Sequence, residues 1–182
     1  MKIAVLASTK GTDLQGLIDN FIKIDKVICN KRCLALDRAK VNKIVAIYLP
    51  KGEENREEYD QKLAAHLEGM NLILLIGWMR LLSPWFVDKF RGKIVNVHPS
   101  LLPAFAGGMD KNVHQEVLKA GCKVSGCTVH LVDETVDGGR ILIQRTVKIA
   151  DNETVDSLKD KVQKEEVLAL LEVINNYKKY FG

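Results

Sequence analysis

Two polar residues set two apart carry the first chemical signal. In Ile94-Val95-Asn96-Val97-His98-Pro99, Asn96 and His98 close an apolar run. The period-2 alternation of a strand puts both side chains on one face. An amide that donates hydrogen bonds and an imidazole that moves protons near neutral pH are costly to bury and well placed for a ligand. The second signal is Asp133-Glu134-Thr135-Val136-Asp137-Gly138-Gly139. Asp and Gly are common turn formers, so a solvated hairpin accounts for it; the functional alternative makes Asp137 a partner for a histidine. Asn96, His98 and Asp137 make a poor metal set, because Asn is a weak ligand for the metals that select His, and no metal is expected.

Three further segments carry polar groups in unusual places. Ala7-Ser8-Thr9-Lys10-Gly11-Thr12-Asp13 follows a strand and opens a helix. Its amides and the positive helix end would hold a phosphate, or Thr12 or Asp13 simply caps the helix. Near the C-terminus, Val155, Leu158, Val162, Leu170, Ile174 and Tyr177 form an apolar helical stripe with Glu166 on it and Gln163 one turn away. A carboxylate there either sits at the solvent edge or needs a partner. Met79-Arg80-Leu81-Leu82 follows an apolar strand, where it packs into the core or lines a pocket for a flat ring.

These residues need elements to position them. Ile3–Ala7, Val27–Cys29, Ile44–Leu49, Leu72–Ile76 and Lys93–His98 read as apolar strands. Between them, Leu14, Leu17, Ile18 and Phe21 mark one helix face, Leu34, Leu36, Ala39 and Val41 a second, the charged run from Glu53 toward Gly69 a third, and Pro84–Phe90 a short fourth. Continuous apolar strands alternating with helices specify a parallel sheet covered on both faces. A helix through Val113, Val117 and Leu118 follows. Val124–Val132 and Ile141–Ile149 then alternate across a turn, as antiparallel partners do, and one last helix runs from about Glu153 to Tyr180. The expected architecture is one α/β domain over residues 1–182, an open sheet with ligands outside the carboxyl ends of its parallel strands.

Composition narrows the classes. The 182 residues are 47% hydrophobic and 27% charged, which excludes disorder of the whole chain. A net charge of +4 without a basic stripe gives no reason to expect a nucleic-acid partner. The positive balance falls on residues 1–50 and 71–150, where small anionic ligands would fit. Cys29, Cys33, Cys122 and Cys127 have spacings that zinc could use in principle, but they lack nearby His ligands and read as reduced thiols. No apolar stretch reaches ~18 residues, the length of a membrane span. The first apolar run has no cleavage-site pattern. The default expectation is a cytoplasmic protein with small-molecule partners and no membrane contact; oligomeric state is not specified.

Asn96-x-His98-Pro99-Ser100-Leu101-Leu102-Pro103 followed by Asp137-Gly138-Gly139 resembles the 10-formyltetrahydrofolate-dependent formyltransferase family, and the resemblance runs in order along essentially the whole chain. It implies a Rossmann-like fold and a catalytic set of Asn96, His98 and Asp137. An amine would attack the formyl carbon, Asn96 would donate to the oxyanion, and His98 would move the proton, its pKa raised by Asp137. The resemblance further implies that Gly11, Thr12, Asp13, Gln163 and Glu166 contact an anionic ribonucleotide. Arg56, Met79, Arg80, Leu81, Leu82 and Asn96 would contact folate. The implied reaction moves a formyl group from 10-formyltetrahydrofolate, a co-substrate, to glycinamide ribonucleotide in purine synthesis. Another amine such as an amino-sugar nucleotide, hydrolysis of the formyl folate, and folate binding without catalysis are the alternatives. Relatives that formylate methionyl-tRNA or deformylate folate carry an additional domain, which this sequence does not show. Two features depart from the family: Asp13 stands where Asn is usual, and the loop at 105–114, expected to border the ribonucleotide, is longer. His114 matches a family histidine.

Overall fold

The computed structural model describes residues 1–107 and 113–182. Its centre is a seven-stranded sheet of β1 (Ile3–Ala7), β2 (Lys26–Cys29), β3 (Val45–Tyr48), β4 (Leu72–Ile76), β5 (Ile94–His98), β6 (Val124–Leu131) and β7 (Ile141–Lys148). The spatial order is β3-β2-β1-β4-β5-β6-β7. The first five strands are parallel, and β6 runs antiparallel to both β5 and β7. The sheet order reverses at β1 and β4, so the loops after these strands diverge and leave a crevice.

Strand alternation divides the core in two. Ile3, Val5 and Ala7 face a layer built from α1 (Thr12–Asp19), α2 (Leu34–Val41), α5 (Val113–Lys119) and α6 (Val155–Asn175). Ala4 and Leu6 face the other layer, formed by α3 (Arg56–Ala65) and α4 (Pro84–Lys89) with Trp78 and Phe90. In β5, Val95 and Val97 enter the first layer and Ile94 the second. Asn96 and His98 share the face of Ile94, as the spacing requires.

Several local expectations change. Neither Thr12 nor Asp13 caps α1: the N-cap is Gly11 in the left-handed region at φ 66°, and no side chain caps the helix. Phe21 lies beyond α1 at φ 59° and is 95% exposed. In α2 the buried face is Ala35, Leu36 and Ala39, while Leu34 and Val41 face solvent. β3 is an edge strand, half exposed rather than covered on both faces. The last helix breaks at Asn176, and a short α7 (Tyr177–Phe181) follows. The segment 108–112, within the loop read as bordering the ribonucleotide, lies outside the described residues. Among the described residues, no helix is long and apolar enough to cross a membrane.

Candidate active site

Asn96 and His98 end β5 beside β6, whose register sets His130 opposite Asn96 and Thr128 opposite His98. Asp137 reaches them from the β6–β7 connection, on a backbone at φ 55°, a conformation that Asp tolerates better than most side chains. Its Oδ2 lies 3.3 Å from His98 Nδ1. Its Oδ1 lies 3.4 Å from Asn96 Nδ2 and 3.6 Å from His130 Nε2. The Gly107 amide donates to Oδ2 at 2.9 Å. Asn96 Nδ2 is also 3.1 Å from His130 Nε2, while His130 Nδ1 is 2.8 Å from the Leu131 carbonyl. Nδ1 carries a hydrogen for the Leu131 carbonyl, and Nε2 faces both Asn96 and Asp137, accepting from the amide when the ring is neutral and donating to the carboxylate when it is charged.

The loop after His98 is clamped to the antiparallel strands. Thr128 Oγ1 donates to the Ser100 carbonyl at 2.7 Å and accepts from the Leu102 amide at 3.0 Å. Gln144 Nε2 donates to the Leu102 carbonyl at 2.9 Å and to Thr128 Oγ1 at 3.0 Å. Ser100 Oγ donates to the Ala104 carbonyl at 2.6 Å. This brace brings the Phe105 carbonyl to 3.1 Å from His98 Nε2. His98 therefore stands between two oxygen acceptors.

The electrostatics differ from expectation. The expected upward shift of His98 does not win: burial holds the imidazole below the ordinary histidine range, and Asp137 and the Phe105 carbonyl pull it only part of the way back. A charged ring satisfies both acceptors, whereas either neutral tautomer turns a lone pair toward one of them. Burial pushes Asp137 up, but His130, the Gly107 amide and His98 more than offset this, and its carboxyl lies below the usual range. The site thus holds a carboxylate beside an imidazole that gives up its proton readily.

Loops after β1 and β4 form the far wall. Gly77 takes φ 58°, and a Cβ there would lie 2.4 Å from Thr9 Oγ1, so only glycine lets the two loops meet. Ser8 ties three strand ends together: its amide donates to the Gly77 carbonyl at 3.1 Å, and its Oγ accepts from the Met79 amide at 3.0 Å and donates to Asn30 Oδ1 at 2.7 Å. Gly11 touches α2, where an added Cβ would meet the Ala35 Cβ at 2.7 Å. Arg38 Nε holds the Lys10 carbonyl at 3.0 Å. The amides opening α1 are consequently free of a side-chain cap, the arrangement that suits an anion.

One cavity of roughly 710 Å³ joins these parts. Asn96, His98 and Asp137 line it together with Thr12, Asp13, Gln163, Glu166 and Met79. Gly11 stands beside it as the cap of α1. Arg56, Arg80, Leu81 and Leu82 do not line it. Arg56 is exposed at the start of α3. Arg80 lies 4.0 Å from the Tyr59 ring centre, and Leu82 packs against the second core layer. Glu166 is buried, not at a solvent edge. Two lining residues, Trp78 and His114, each hold a buried polar atom that meets no hydrogen-bond partner, as expected where a ligand supplies the contact.

Among the described residues, no group of three or more His, Cys, Asp and Glu side chains is arranged to hold a metal ion. Cys29 and Cys127 are buried, and burial pushes each thiol up to about 12.

Residue types and spacing alone give His130, Thr128 and Gln144 no role. Their alternation along β6 and β7 is visible in the sequence, but the register that pairs them with Asn96, His98 and Leu102 is a tertiary fact.

Comparison with known proteins places this geometry. Residues 1–174 match the family described as Formyl transferase. A phosphoribosylglycinamide formyltransferase of Haemophilus influenzae is 40% identical over 175 residues, covering 91% of this chain and 81% of the relative. The human trifunctional purine biosynthetic protein adenosine-3 is 41% identical over 172 residues. The chain spans only 17% of that protein's length, and the same share of the bovine one. The crystal structure of glycinamide ribonucleotide transformylase 1 from Symbiobacterium toebii superposes with a TM-score of 0.92 at 33% identity, over 98% of this chain and 88% of that one.

Proposed function

This chain belongs to the formyl transferase family, and on that premise we propose that it transfers the formyl group of 10-formyltetrahydrofolate to the amine of glycinamide ribonucleotide, a step of purine biosynthesis. The observation that carries this reading is the single cavity in which Asn96, His98 and Asp137 face an uncapped helix start.

The chemistry follows from the residues. Attack by the acceptor amine on the formyl carbon makes a tetrahedral centre whose oxygen carries negative charge. The second Asn96 amide hydrogen has only the long contact to Asp137, so a stronger acceptor can claim it. The His98 Nε2 hydrogen rests on a neutral carbonyl, and an oxyanion is the better acceptor. The attacking nitrogen loses a proton and the departing folate nitrogen gains one. A low-lying imidazole gives its proton up readily, and the Asp137 carboxylate steadies the charged ring. Asp137 acts on His98 and on the proton's path; it forms no covalent bond to substrate.

The acceptor's phosphate fits the free amides after Gly11. The Asn-to-Asp departure at position 13 does not oppose this, because Asp13 is buried, within hydrogen-bond reach of Glu166, and is not turned out as a free carboxylate. Gln163 and Glu166 then border the ribonucleotide, with Gly11, Thr12 and Asp13 opposite. Folate occupies the Met79 side, against exposed backbone of the 79–82 segment. Arg56, Arg80 and Leu81 stand outside the cavity, where the tail of a folate would reach them. The same reading makes residues 1–182 one catalytic domain acting on small molecules in the cytoplasm. The test is release of deformylated folate from a mixture of protein, 10-formyl folate and glycinamide ribonucleotide. Release that depends on both substrates supports the reading, and release without the ribonucleotide contradicts it.

A further inference from the structure

Asp13 and Glu166 come from opposite walls of the cavity, α1 and α6, and meet as two buried carboxyl groups, 7% and 6% exposed. Both line the same cavity, and their carboxyls are close enough to share a hydrogen bond. Two ionised carboxylates cannot make that bond, since each only accepts. Asp13 Oδ1 is buried and meets no N–H or hydroxyl donor. A proton on the pair is therefore what joins the groups and satisfies the contact.

The surroundings do not supply enough positive charge to replace that proton. On α6, Lys159 faces the pair and favours ionised Glu166, but Asp156 and Asp160 line the same cavity. Glu165 is committed to Arg145 of β7 at 2.6 Å. Cys127 of β6 is a neutral thiol, and burial together with Lys159 keeps His114 of α5 below the ordinary histidine range. Lys10 lines the cavity before α1. Burial pushes Asp13 up to about 7 and holds Glu166 well above the ordinary carboxyl range, so the pair keeps a proton near neutral pH.

We propose that Asp13 and Glu166 hold a single proton between them and thereby set the charge that the acceptor end of the cavity presents to a phosphate-bearing ligand. With one proton the pair carries one negative charge. Without it, two adjacent carboxylates repel each other and the incoming phosphate. Acceptor binding is therefore linked to proton retention and weakens as pH rises. The part concerning the acceptor rests on the proposed function, whereas the shared proton does not.

Carbon-13 NMR of protein labelled at the Asp and Glu carboxyls reads the pair directly. Two carboxyl signals that titrate together above about pH 6 are expected, with the Asp13 signal absent and the Glu166 titration moved downward in Asp13→Asn; carboxyls that all titrate below about pH 5 overturn the proposal. Binding of glycinamide ribonucleotide from pH 6 to 9 reads the consequence. The ratio of wild-type to Asp13→Asn affinity, in which titration of the ligand cancels, should fall by up to about tenfold per pH unit as the pair ionises. A ratio constant across that range overturns it, and Glu166→Gln provides a second variant for the same comparison. A coupled pair in a protein that does not formylate the ribonucleotide would refute the acceptor assignment alone. Uncoupled low-pKa carboxyls in an active enzyme would refute this inference alone.

Discussion

Asp137 Oδ2 sits 3.3 Å from His98 Nδ1, on the side of the ring opposite the Phe105 carbonyl at 3.1 Å from Nε2. The imidazole is thereby held at both nitrogens, and a charged ring is favoured by its contacts while burial disfavours it. Removing the carboxylate should damage the chemistry more than the binding. His98→Ala and Asp137→Ala are each expected to lower turnover by about 10²–10⁴-fold, the usual range for losing an acid–base group. Folate affinity, measured by quenching of intrinsic fluorescence, should stay within a few-fold of wild type. Near-normal turnover in either variant would refute the assigned roles.

The brace behind the site makes a separate prediction. Thr128 Oγ1 has three partners in a fully buried position. Thr128→Val keeps the shape and strands the Leu102 amide, at a cost of about 1–3 kcal/mol. Denaturant unfolding should show that loss. Turnover should fall as well, because the Phe105 carbonyl and the Gly107 amide lose their support, while Thr128→Ser should recover most of both.

Gly11 allows a test on the acceptor side. Its φ of 66° costs a side chain about 1–2 kcal/mol, and the new Cβ would press on Ala35. Gly11→Ala should raise the KM for the ribonucleotide while the KM for folate changes little. Equal increases in the two would contradict the placement of the phosphate at the start of α1.

The buried histidines predict the acid limb of stability. His98 and His114 both lie below the ordinary value of 6.5 in the folded chain. The unfolded chain binds protons more readily between each folded pKa and 6.5, so stability falls as pH drops through that window. Asp137 acts in the same direction at lower pH: its folded pKa is depressed, and the stability it contributes is lost as pH falls through that value. Asp13 and Glu166, held above the usual carboxyl range, act in the opposite sense over much of the same window, so the histidine contribution is read as a difference between wild type and variant. The thermal midpoint of wild type relative to His114→Gln should fall as pH drops below about 6.5, and a difference that stays constant from pH 8 to pH 5 would contradict the assignment.

The sheet was legible because β1, β4 and β5 are uninterrupted apolar runs between helical periods. The polar pair Asn96 and His98 stood out as an exception to that pattern. Glu166 was legible for the same reason, since the 3–4 spacing of Leu158, Val162 and Leu170 put a carboxylate on a buried face. Other features depended on which elements become neighbours. His130 lies in an ordinary alternating strand, and only the β5–β6 register sets it against Asn96. Thr12 and Asp13 fit the residue preferences of a cap, but Gly11 takes the left-handed turn that opens α1 and frees Asp13 to meet Glu166. Leu34 and Val41 fit a helical period, yet α2 packs through Ala35 and Ala39, where small side chains let it lie close to the Gly11 loop. Burial likewise outweighed the Asp137 carboxylate at His98, a balance of magnitudes that residue types alone do not reveal.

The most direct measurement follows deformylated folate while glycinamide ribonucleotide is varied at a fixed concentration of 10-formyl folate, with mass spectrometry of the ribonucleotide product. Saturable folate release, matched one for one by formylated ribonucleotide and lost in His98→Ala, is the predicted result. Release at the same rate without ribonucleotide, or an unmodified ribonucleotide after folate is consumed, would contradict formyl transfer to this acceptor.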